Sequence, residues 1–198
     1  MHLHIHTPFF TYAYTYTYKY CHPHTPFFLV FDFFNEVNLI WDIVTEIGIE
    51  PLSPGAGFPP GFEYRWADSR SKTPITVSGP EYVQHVITWV EQEINNPSLF
   101  PTSAMIPFPK TFLPSVKQIF TRIFRIYAII YSHHFSKLET MGAVAHLNTS
   151  FKHFLFFVWE FDLVSSSELD ALRDIVQEIK SRYDSQLVRT GSGSFGGK

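Results

Sequence analysis

Apolar residues recur at intervals of three and four positions in several segments of the chain, which is the spacing of amphipathic helices. The first segment covers residues 32–47, with Asp32 in the predicted first turn, where a carboxylate interacts favourably with the helix dipole. The second ends at residue 94 and follows Ser78, Gly79 and Pro80. Proline is tolerated at a first helical position because its missing N–H would be unpaired there anyway. Both segments are therefore predicted to be helices.

The longest helical pattern covers residues 114–135 and has a broad apolar face, which predicts the central helix of a bundle. A short helix is predicted within residues 136–146 and a nearly all-apolar, buried helix over residues 148–161. The last predicted helix covers residues 165–183, and Ser165 and Glu168 at its start have the spacing of a capping box. Its apolar positions are Leu169, Leu172, Val176, Ile179 and Tyr183.

The connections are shorter and carry turn residues. The stretch "GIEPLSPGAGFPPG", residues 48–61, contains four prolines and four glycines and is predicted to be a loop. The stretches "FEYRWADS" and "TPITVS" then alternate around a polar connection, which indicates a small hairpin. The predicted fold class is mainly α: a single-domain helix bundle with one small β-hairpin.

Both ends of the chain differ in composition from the predicted domain, residues 31–185. Residues 1–30 hold five of the ten histidines and five of the ten tyrosines and no acidic residue. Their alternation of Thr, Tyr and His is typical of a low-complexity tract. We interpret this tract as foreign to the native domain, arising from read-through of a short repeat or a wrongly placed first exon. Residues 186–198 are predicted to be a flexible tail.

Composition excludes several classes of protein. Cys21 is the single cysteine, so no internal disulfide framework or multi-cysteine zinc module is possible, which suits a reducing cytosolic or nuclear compartment. No apolar run approaches the roughly 20 residues of a membrane span. The formal net charge of −3 predicts attraction neither to nucleic acid nor to a membrane.

No known catalytic motif is present: the chain lacks GxSxG, a phosphate-binding glycine loop and HExxH. We therefore predict that the protein is not an enzyme. The rival hypothesis is a metal-dependent enzyme that uses the histidines. His133 and His134 are adjacent helical positions and point about 100° apart, so they cannot both face one ion comfortably. Cys21, His22 and His24 offer ligands only within the foreign tract. The histidines are interpreted as ordinary core or rim side chains.

A cationic site is the remaining candidate. Arg122 and Arg125 lie three apart on the central helix and share a face, with Thr121 four residues before Arg125. Two guanidinium groups and a hydroxyl make a reasonable phosphate receptor, because the planar fork pairs bidentately with phosphate oxygens. The alternative is a solvated helix face.

Six stretches together resemble one known family. They are "DFFNEVNLI", "EYRWADS", "PEYVQHVITWV", "LFPTSAMIPFPKTF", "RIFRIYAIIYSHHF" and "AHLNTSFKHFLFFVWEF". In order and spacing they resemble the Mob/phocein family over about residues 31–183. The resemblance implies a helix bundle with a small hairpin, and a non-catalytic coactivator of nuclear Dbf2-related and large tumour suppressor type kinases. "AHLNTSFKHF" is more similar to the branch that partners mitotic-exit and Hippo-type kinases than to phocein itself.

The family's zinc site has two cysteines in the loop after the first conserved helix and two histidines on the long helix. The resemblance places Gly48 and Ser53 at the cysteine positions, Ile129 at the first histidine and His134 at the second. Three of the four ligands are replaced, and one imidazole cannot hold a structural zinc. We predict no bound zinc and no other cofactor.

The resemblance also implies two binding surfaces. The family's basic phosphothreonine pocket maps onto Thr121, Arg122 and Arg125, where typical members have lysine, arginine and arginine. Losing the lysine is expected to weaken binding by about 1 kcal/mol or more. Asp32 matches the family's kinase-binding aspartate, whereas the acidic, tryptophan-containing segment upstream of it is replaced by the foreign tract.

The function predicted from the sequence is a kinase coactivator and adaptor. It would bind the basic N-terminal regulatory region of an AGC-family kinase and a phosphorylated upstream kinase or scaffold, in mitotic-exit or Hippo-like signalling. The expected localisation is cytoplasmic, with nuclear or spindle-pole sites. The alternatives are a phocein-like scaffold subunit of a phosphatase and kinase assembly, and a decayed paralogue that activates nothing.

Overall fold

The computed structural model of the chain describes residues 25–68, 73–103 and 105–191. The longer helices are α1 (Thr25–Glu46), α2 (Gly79–Ile94), α3 (Phe112–Ile129) and α5 (Val144–Glu160). Helix α3 continues through a π-helical segment, Ile130–His134, into α4 (Phe135–Thr140). At the C-terminal side, α6 (Ser166–Leu169), a 3-10 turn (Asp170–Leu172) and α7 (Arg173–Gly191) follow one another directly. The mainly α bundle predicted from the sequence is confirmed.

Helix α3 lies at the centre of the bundle. It packs against α1 and α2, and α1 also contacts α2 and α5. The predicted apolar face of the long helix is buried, since Ile119, Phe120, Ile123 and Phe124 are fully removed from solvent. Burying each such side chain contributes about 1.5–3 kcal/mol of transfer free energy, which explains why this helix organises the domain. The same rigid helix carries the arginines of the candidate site.

Helix α1 begins earlier than the sequence predicts. It starts at Thr25, and Pro26 is its second residue, near a helix start where a missing N–H costs no hydrogen bond. Asp32 therefore lies about two turns inside the helix. The prediction that Asp32 occupies the first turn is wrong, and because the dipole effect is confined to that turn, it does not account for this carboxylate.

Helix α2 begins where the sequence predicts, at a complete capping box. The Ser78 hydroxyl accepts a hydrogen bond from the backbone N–H of Glu81, and the Glu81 carboxylate accepts one from the backbone N–H of Ser78. Gly79 follows, and a Cβ there would lie 2.2 Å from the carbonyl oxygen of Gly57. The absence of a side chain thus allows the predicted loop, residues 48–61, to lie directly against the start of α2.

The predicted hairpin is wrong in extent. Among the described residues, the only β pairing is one antiparallel bridge, in which Trp66 and Ile75 exchange two backbone hydrogen bonds of 2.9 Å each. Two residues beyond Ile75, the carbonyl of Val77 accepts the N–H of Gly55, and no hydrogen bond from a described residue to Tyr64 extends the ladder on that side.

The single helix predicted over residues 165–183 is also corrected. The 3-10 turn separates α6 from α7, and it places Leu169 and Leu172 on the same side, where both are buried. The Ser165 side chain makes no capping hydrogen bond, so the predicted capping box is absent. Helix α7 extends to Gly191, beyond the predicted residue 183. Residues 1–24, which include Cys21, His22 and His24, and residues 192–198 lie outside the described residues.

In the part of the chain that the structure describes, no helix has both the length and the hydropathy needed to cross a bilayer.

Candidate functional site

Arg122 projects from α3 into an aromatic cage. Its guanidinium carbon lies 4.4 Å from the ring centroid of Trp66 and 4.0 Å from that of Trp89. Nη2 donates a 2.9 Å hydrogen bond to the carbonyl oxygen of Ala67, whereas Nη1 is buried without a hydrogen-bond partner among the described residues. His85 stacks on Trp66, with 5.0 Å between the ring centroids. Arg122 is therefore a buried cation supported by cation–π contacts, and the solvated-face alternative does not apply to it.

Arg125, one turn further along α3, lies beside Arg122 but in different surroundings. Its Nε donates to Glu168 Oε2 at 3.0 Å and its Nη2 donates to Glu168 Oε1, which makes a bidentate ion pair. Nη1 donates to the Tyr82 hydroxyl at 3.0 Å, and the guanidinium lies 4.8 Å from the Tyr64 ring centroid. About a fifth of the side chain stays exposed. Arg125 is thus the more accessible of the two cations.

The two guanidinium groups lie close enough for the charge of Arg125 to act on Arg122. Burial lowers the pKa of Arg122, and the neighbouring charge of Arg125 lowers it further. Burial alone would also lower the pKa of Arg125, but the hydrogen bonds to Glu168 and Tyr82 outweigh burial and raise it. Burial raises the pKa of the Tyr82 hydroxyl. A guanidinium is not deprotonated in proteins, so both arginines are charged at physiological pH.

Thr121 lies half-buried on the preceding turn of α3. The sequence therefore located the cationic pair correctly on one helix, but it missed the five side chains that surround it. These are Tyr64, Trp66, Tyr82, Trp89 and Glu168. Tyr82 and Trp89 were assigned to the second predicted helix and Tyr64 and Trp66 to the predicted hairpin, and Glu168 was interpreted as a capping residue. The sequence did carry a signal for these surroundings. It has aromatic residues in two other segments, Tyr64 and Trp66 before α2 and Tyr82 and Trp89 within it.

The four positions that the family resemblance assigns to zinc ligands do not offer a set of metal-binding side chains. Gly48, at a φ of 94°, has no side chain to offer, and Ser53 is exposed in a turn whose carbonyl accepts the N–H of Ala56. Ile129 is fully buried. Among the described residues no group of three or more His, Cys, Asp or Glu side chains is arranged to hold a metal ion. These residues do not fit a zinc ion.

His134 occupies the remaining ligand position as a buried neutral side chain. Neither ring nitrogen has a hydrogen-bond partner among the described residues, and the ring lies edge-on to Trp41 at 5.4 Å. Burial lowers the pKa of His134 to about 4, so the imidazole is uncharged at neutral pH. The neighbouring His133 bonds through Nε2 to the carbonyl oxygen of Phe58 at 2.6 Å, and Lys137 donates to the carbonyl oxygen of Gly48. These two hydrogen bonds connect the π-helical segment and α4 to the loop at residues 48–61.

Asp32 lies on the exposed face of α1. Partial burial raises the pKa of its carboxyl group. Asp42 and Glu46 are exposed further along the helix, and their spacing places them on the same side as Asp32. Leu39, 58% exposed, lies between them on this side. This acidic face of α1, residues 32, 39, 42 and 46, is separate from the arginine pair on α3.

The fold and these sites define an α-helical domain with a pair of arginines in an aromatic pocket and an acidic helix face elsewhere. The model of the Mob1/phocein family matches residues 27–172, and the chain belongs to that family. The relatives bear kinase-activator names. "MOB kinase activator-like 1A" of Arabidopsis thaliana is 44% identical over 153 residues, which cover 77% of this chain and 71% of the relative.

Two further relatives cover a similar part of the chain. "MOB kinase activator-like 1 homolog A" of Dictyostelium discoideum is 43% identical over 149 residues, 75% of this chain and 70% of the relative. "MOB kinase activator 3A" of Mus musculus is 41% identical over 151 residues, 76% of this chain and 70% of the relative.

Proposed function

We propose that the protein is a non-catalytic kinase coactivator that binds a phosphorylated segment of one partner and the N-terminal regulatory region of a kinase. The observation that carries this proposal is the arginine pair: two adjacent cations on a buried helix, one partly exposed, supported by four aromatic rings. The kinase-activator names of the relatives support the same role. The kinase would be an AGC-family enzyme of the nuclear Dbf2-related or large tumour suppressor type, in Hippo-like or mitotic-exit signalling.

Arg125 is the residue that would contact the phosphate of phosphothreonine. Its side chain is partly exposed and its guanidinium already makes a bidentate contact with a carboxylate, the geometry that a phosphate also accepts. Arg122 lies behind it and supplies a second positive charge from a buried position. Thr121 stands where typical members have a third cation, so the affinity is expected to be lower than theirs by about 1 kcal/mol or more.

A peptide titration tests this site. A short peptide with one phosphothreonine should bind the wild-type protein, and Arg125→Ala should weaken binding at least tenfold, since a charged hydrogen bond contributes about 1.5–3 kcal/mol. Arg173→Ala is the matched control, because Arg173 is exposed and its ion pair among the described residues is with the nearby Asp170. Equal affinities for wild type and Arg125→Ala would exclude the site.

The acidic face of α1 is the proposed kinase-binding surface. Carboxylates at positions 32, 42 and 46 around an exposed leucine suit a basic amphipathic helix, in which cations meet the carboxylates and an apolar residue covers Leu39. The test is capture of a purified kinase N-terminal regulatory region. Asp32→Val should lose capture, whereas Asp174→Val, which removes one exposed carboxylate from α7, should keep it. Capture that is equal for the two variants would contradict the proposed surface.

We also propose that the protein binds no structural zinc, since only His134 of the four ligand positions retains a metal-binding side chain. Elemental analysis of the purified protein tests this proposal, and about one zinc per chain would overturn it.

The titration and the capture together separate the alternatives. Phosphopeptide binding without kinase capture would favour a phocein-like scaffold subunit. Loss of both would favour a decayed paralogue that retains the fold.

A further inference from the structure

The guanidinium proposed to bind phosphate is already occupied by a carboxylate of the same chain. Glu168 offers both carboxylate oxygens to the guanidinium of Arg125. The two residues are 43 positions apart in sequence, so this contact connects the central helix α3 to the C-terminal segment. The bidentate arrangement reproduces the way in which a guanidinium binds an incoming anion.

Glu168 makes this contact instead of capping its own helix. The spacing of Ser165 and Glu168 would allow the carboxylate to bond the backbone N–H of Ser165, yet the Glu168 carboxylate points to Arg125. The Ser165 hydroxyl instead lies 3.0 Å from that of Ser167. The available local partner, the backbone N–H of Ser165, is therefore not used.

We propose that Glu168 is an internal competitor for Arg125, which an anionic ligand must displace before it can bind. This inference rests on the proposed function, because it concerns regulation of the same phosphate site. In the unliganded protein most molecules have Arg125 closed by Glu168. The measured affinity for any anion is then the intrinsic affinity multiplied by the small fraction of molecules in which Arg125 is free.

This competition lowers the affinity of every anionic ligand by the same factor, so only a ligand with a high intrinsic affinity, such as a phosphate, still binds usefully. A glutamate or aspartate side chain of a partner would exchange one carboxylate for another and gain little. A phosphothreonine has a charge of nearly −2 and three acceptor oxygens, so its intrinsic affinity is higher and survives the same reduction. The second positive charge, Arg122, lies next to Arg125 and favours the dianion further. Acidic segments that are not phosphorylated are thereby kept below useful affinity.

The experiment compares three proteins with two peptides in binding titrations. The proteins are wild type, Glu168→Gln and the control Asp170→Asn, which removes one exposed carboxylate close to Glu168 in the chain. One peptide has a phosphothreonine between neutral residues, and the other has glutamate at that position. Glu168→Gln should tighten both peptides by a similar factor of about five to ten, since both must displace the same competitor. Asp170→Asn should change either affinity less than about twofold, because that carboxylate belongs to an exposed pair.

The outcomes distinguish this inference from the proposed function. If the phosphopeptide binds wild type in an Arg125-dependent manner and Glu168→Gln does not tighten it, the competitor is excluded and the phosphate site remains. If the phosphopeptide binds none of the proteins, both proposals are overturned. Glutamine is nearly isosteric with glutamate, and melting curves confirm that the variant is folded. Glu168→Ala is the second variant, and it should tighten the phosphopeptide at least as much.

Discussion

Two segments of this chain carry the same Ser-x-x-Glu spacing before a helix, and only one of them forms a capping box. At Ser78 and Glu81 the two residues satisfy each other's backbone N–H groups, and the Ser78 hydroxyl also donates to Glu81 Oε2 at 2.8 Å. At Ser165 and Glu168 neither reciprocal side-chain contact forms. The carboxylate of Glu168 pairs with Arg125 instead.

The difference lies in what each carboxylate meets in the folded protein. Glu81 is exposed at the start of α2 and forms no ion pair with the described residues, so the backbone N–H of Ser78 is its best partner. Glu168 faces a guanidinium fixed on the central helix, whose two parallel charge-assisted hydrogen bonds are each about twice as strong as a neutral one. A distant cation therefore overrides a favourable local motif.

Removing that cation should have the largest effect. Arg125→Ala is expected to lower the free energy of unfolding by about 2–3 kcal/mol, because it leaves Glu168 and Tyr82 without their charged partner in a largely buried site. Urea denaturation measures this change. Arg173→Ala, which breaks an exposed pair with Asp170, is the control and should cost less than about 0.5 kcal/mol. Equal losses of unfolding free energy in the two variants would mean that the more buried Arg125–Glu168 pair stabilises the protein no more than the exposed Arg173–Asp170 pair.

Breaking the capping box that does form should have the next largest effect. Ser78→Ala removes a buried hydroxyl that accepts from the first turn of α2, and a loss of about 1 kcal/mol is expected. Ser78→Thr retains a hydroxyl and should recover most of the stability. The measurement is again urea denaturation, and an unchanged midpoint for Ser78→Ala would contradict the role of the cap.

The same box should make stability depend on pH. The hydrogen bonds from the backbone and side chain of Ser78 lower the pKa of Glu81 from its ordinary value of 4.5. A carboxyl group with a lowered pKa in the folded state stabilises the protein above its ordinary pKa, and this contribution is lost as the pH falls through the folded value. Glu81→Gln should therefore melt below wild type at neutral pH, and the gap should close in acid below about pH 4.5. A gap that is constant with pH would contradict the assignment.

The smallest effect is expected at the second serine. Ser165→Ala should change the free energy of unfolding by less than about 0.5 kcal/mol, because its hydroxyl makes no capping contact. In the Arg125→Ala background Glu168 is released and the Ser165 hydroxyl can donate to it, as the Ser78 hydroxyl donates to Glu81, so the same substitution should then cost more. A double-mutant cycle measures that coupling. Additive effects would show that Glu168 does not return to its own helix start.

Much of the fold follows from spacing alone. One face of α3 carries apolar residues at helical spacing, and all of them are buried: Val116, Ile119, Phe120 and Ile123. Their periodicity can be predicted because it depends only on the local sequence. Ser78 and Pro80 likewise marked the start of α2 correctly, since their effect is confined to one turn. The hairpin was overestimated because the alternation of residues does not record that the carbonyl of Val77 pairs with Gly55 of the preceding loop instead of extending the ladder.

The site was predictable only in part. Family resemblance and helical spacing located Arg122 and Arg125, but neither gives the surroundings of a side chain. The cage around Arg122 joins Trp66 and Trp89 from two other segments, and the partner of Arg125 comes from the far end of the domain. Such contacts depend on how distant segments pack. For the same reason the sequence assigned Glu168 to its own helix.

The stacking of Arg122 between two indole rings gives the protein an optical property. Two of its four tryptophans, Trp66 and Trp89, contact the same guanidinium at 4.4 and 4.0 Å, and Trp41 lies instead against His134. Indole fluorescence responds to nearby charge and to exposure. The emission of these two tryptophans is therefore expected to change when the proposed phosphopeptide binds beside Arg122, which tests the site without an attached dye.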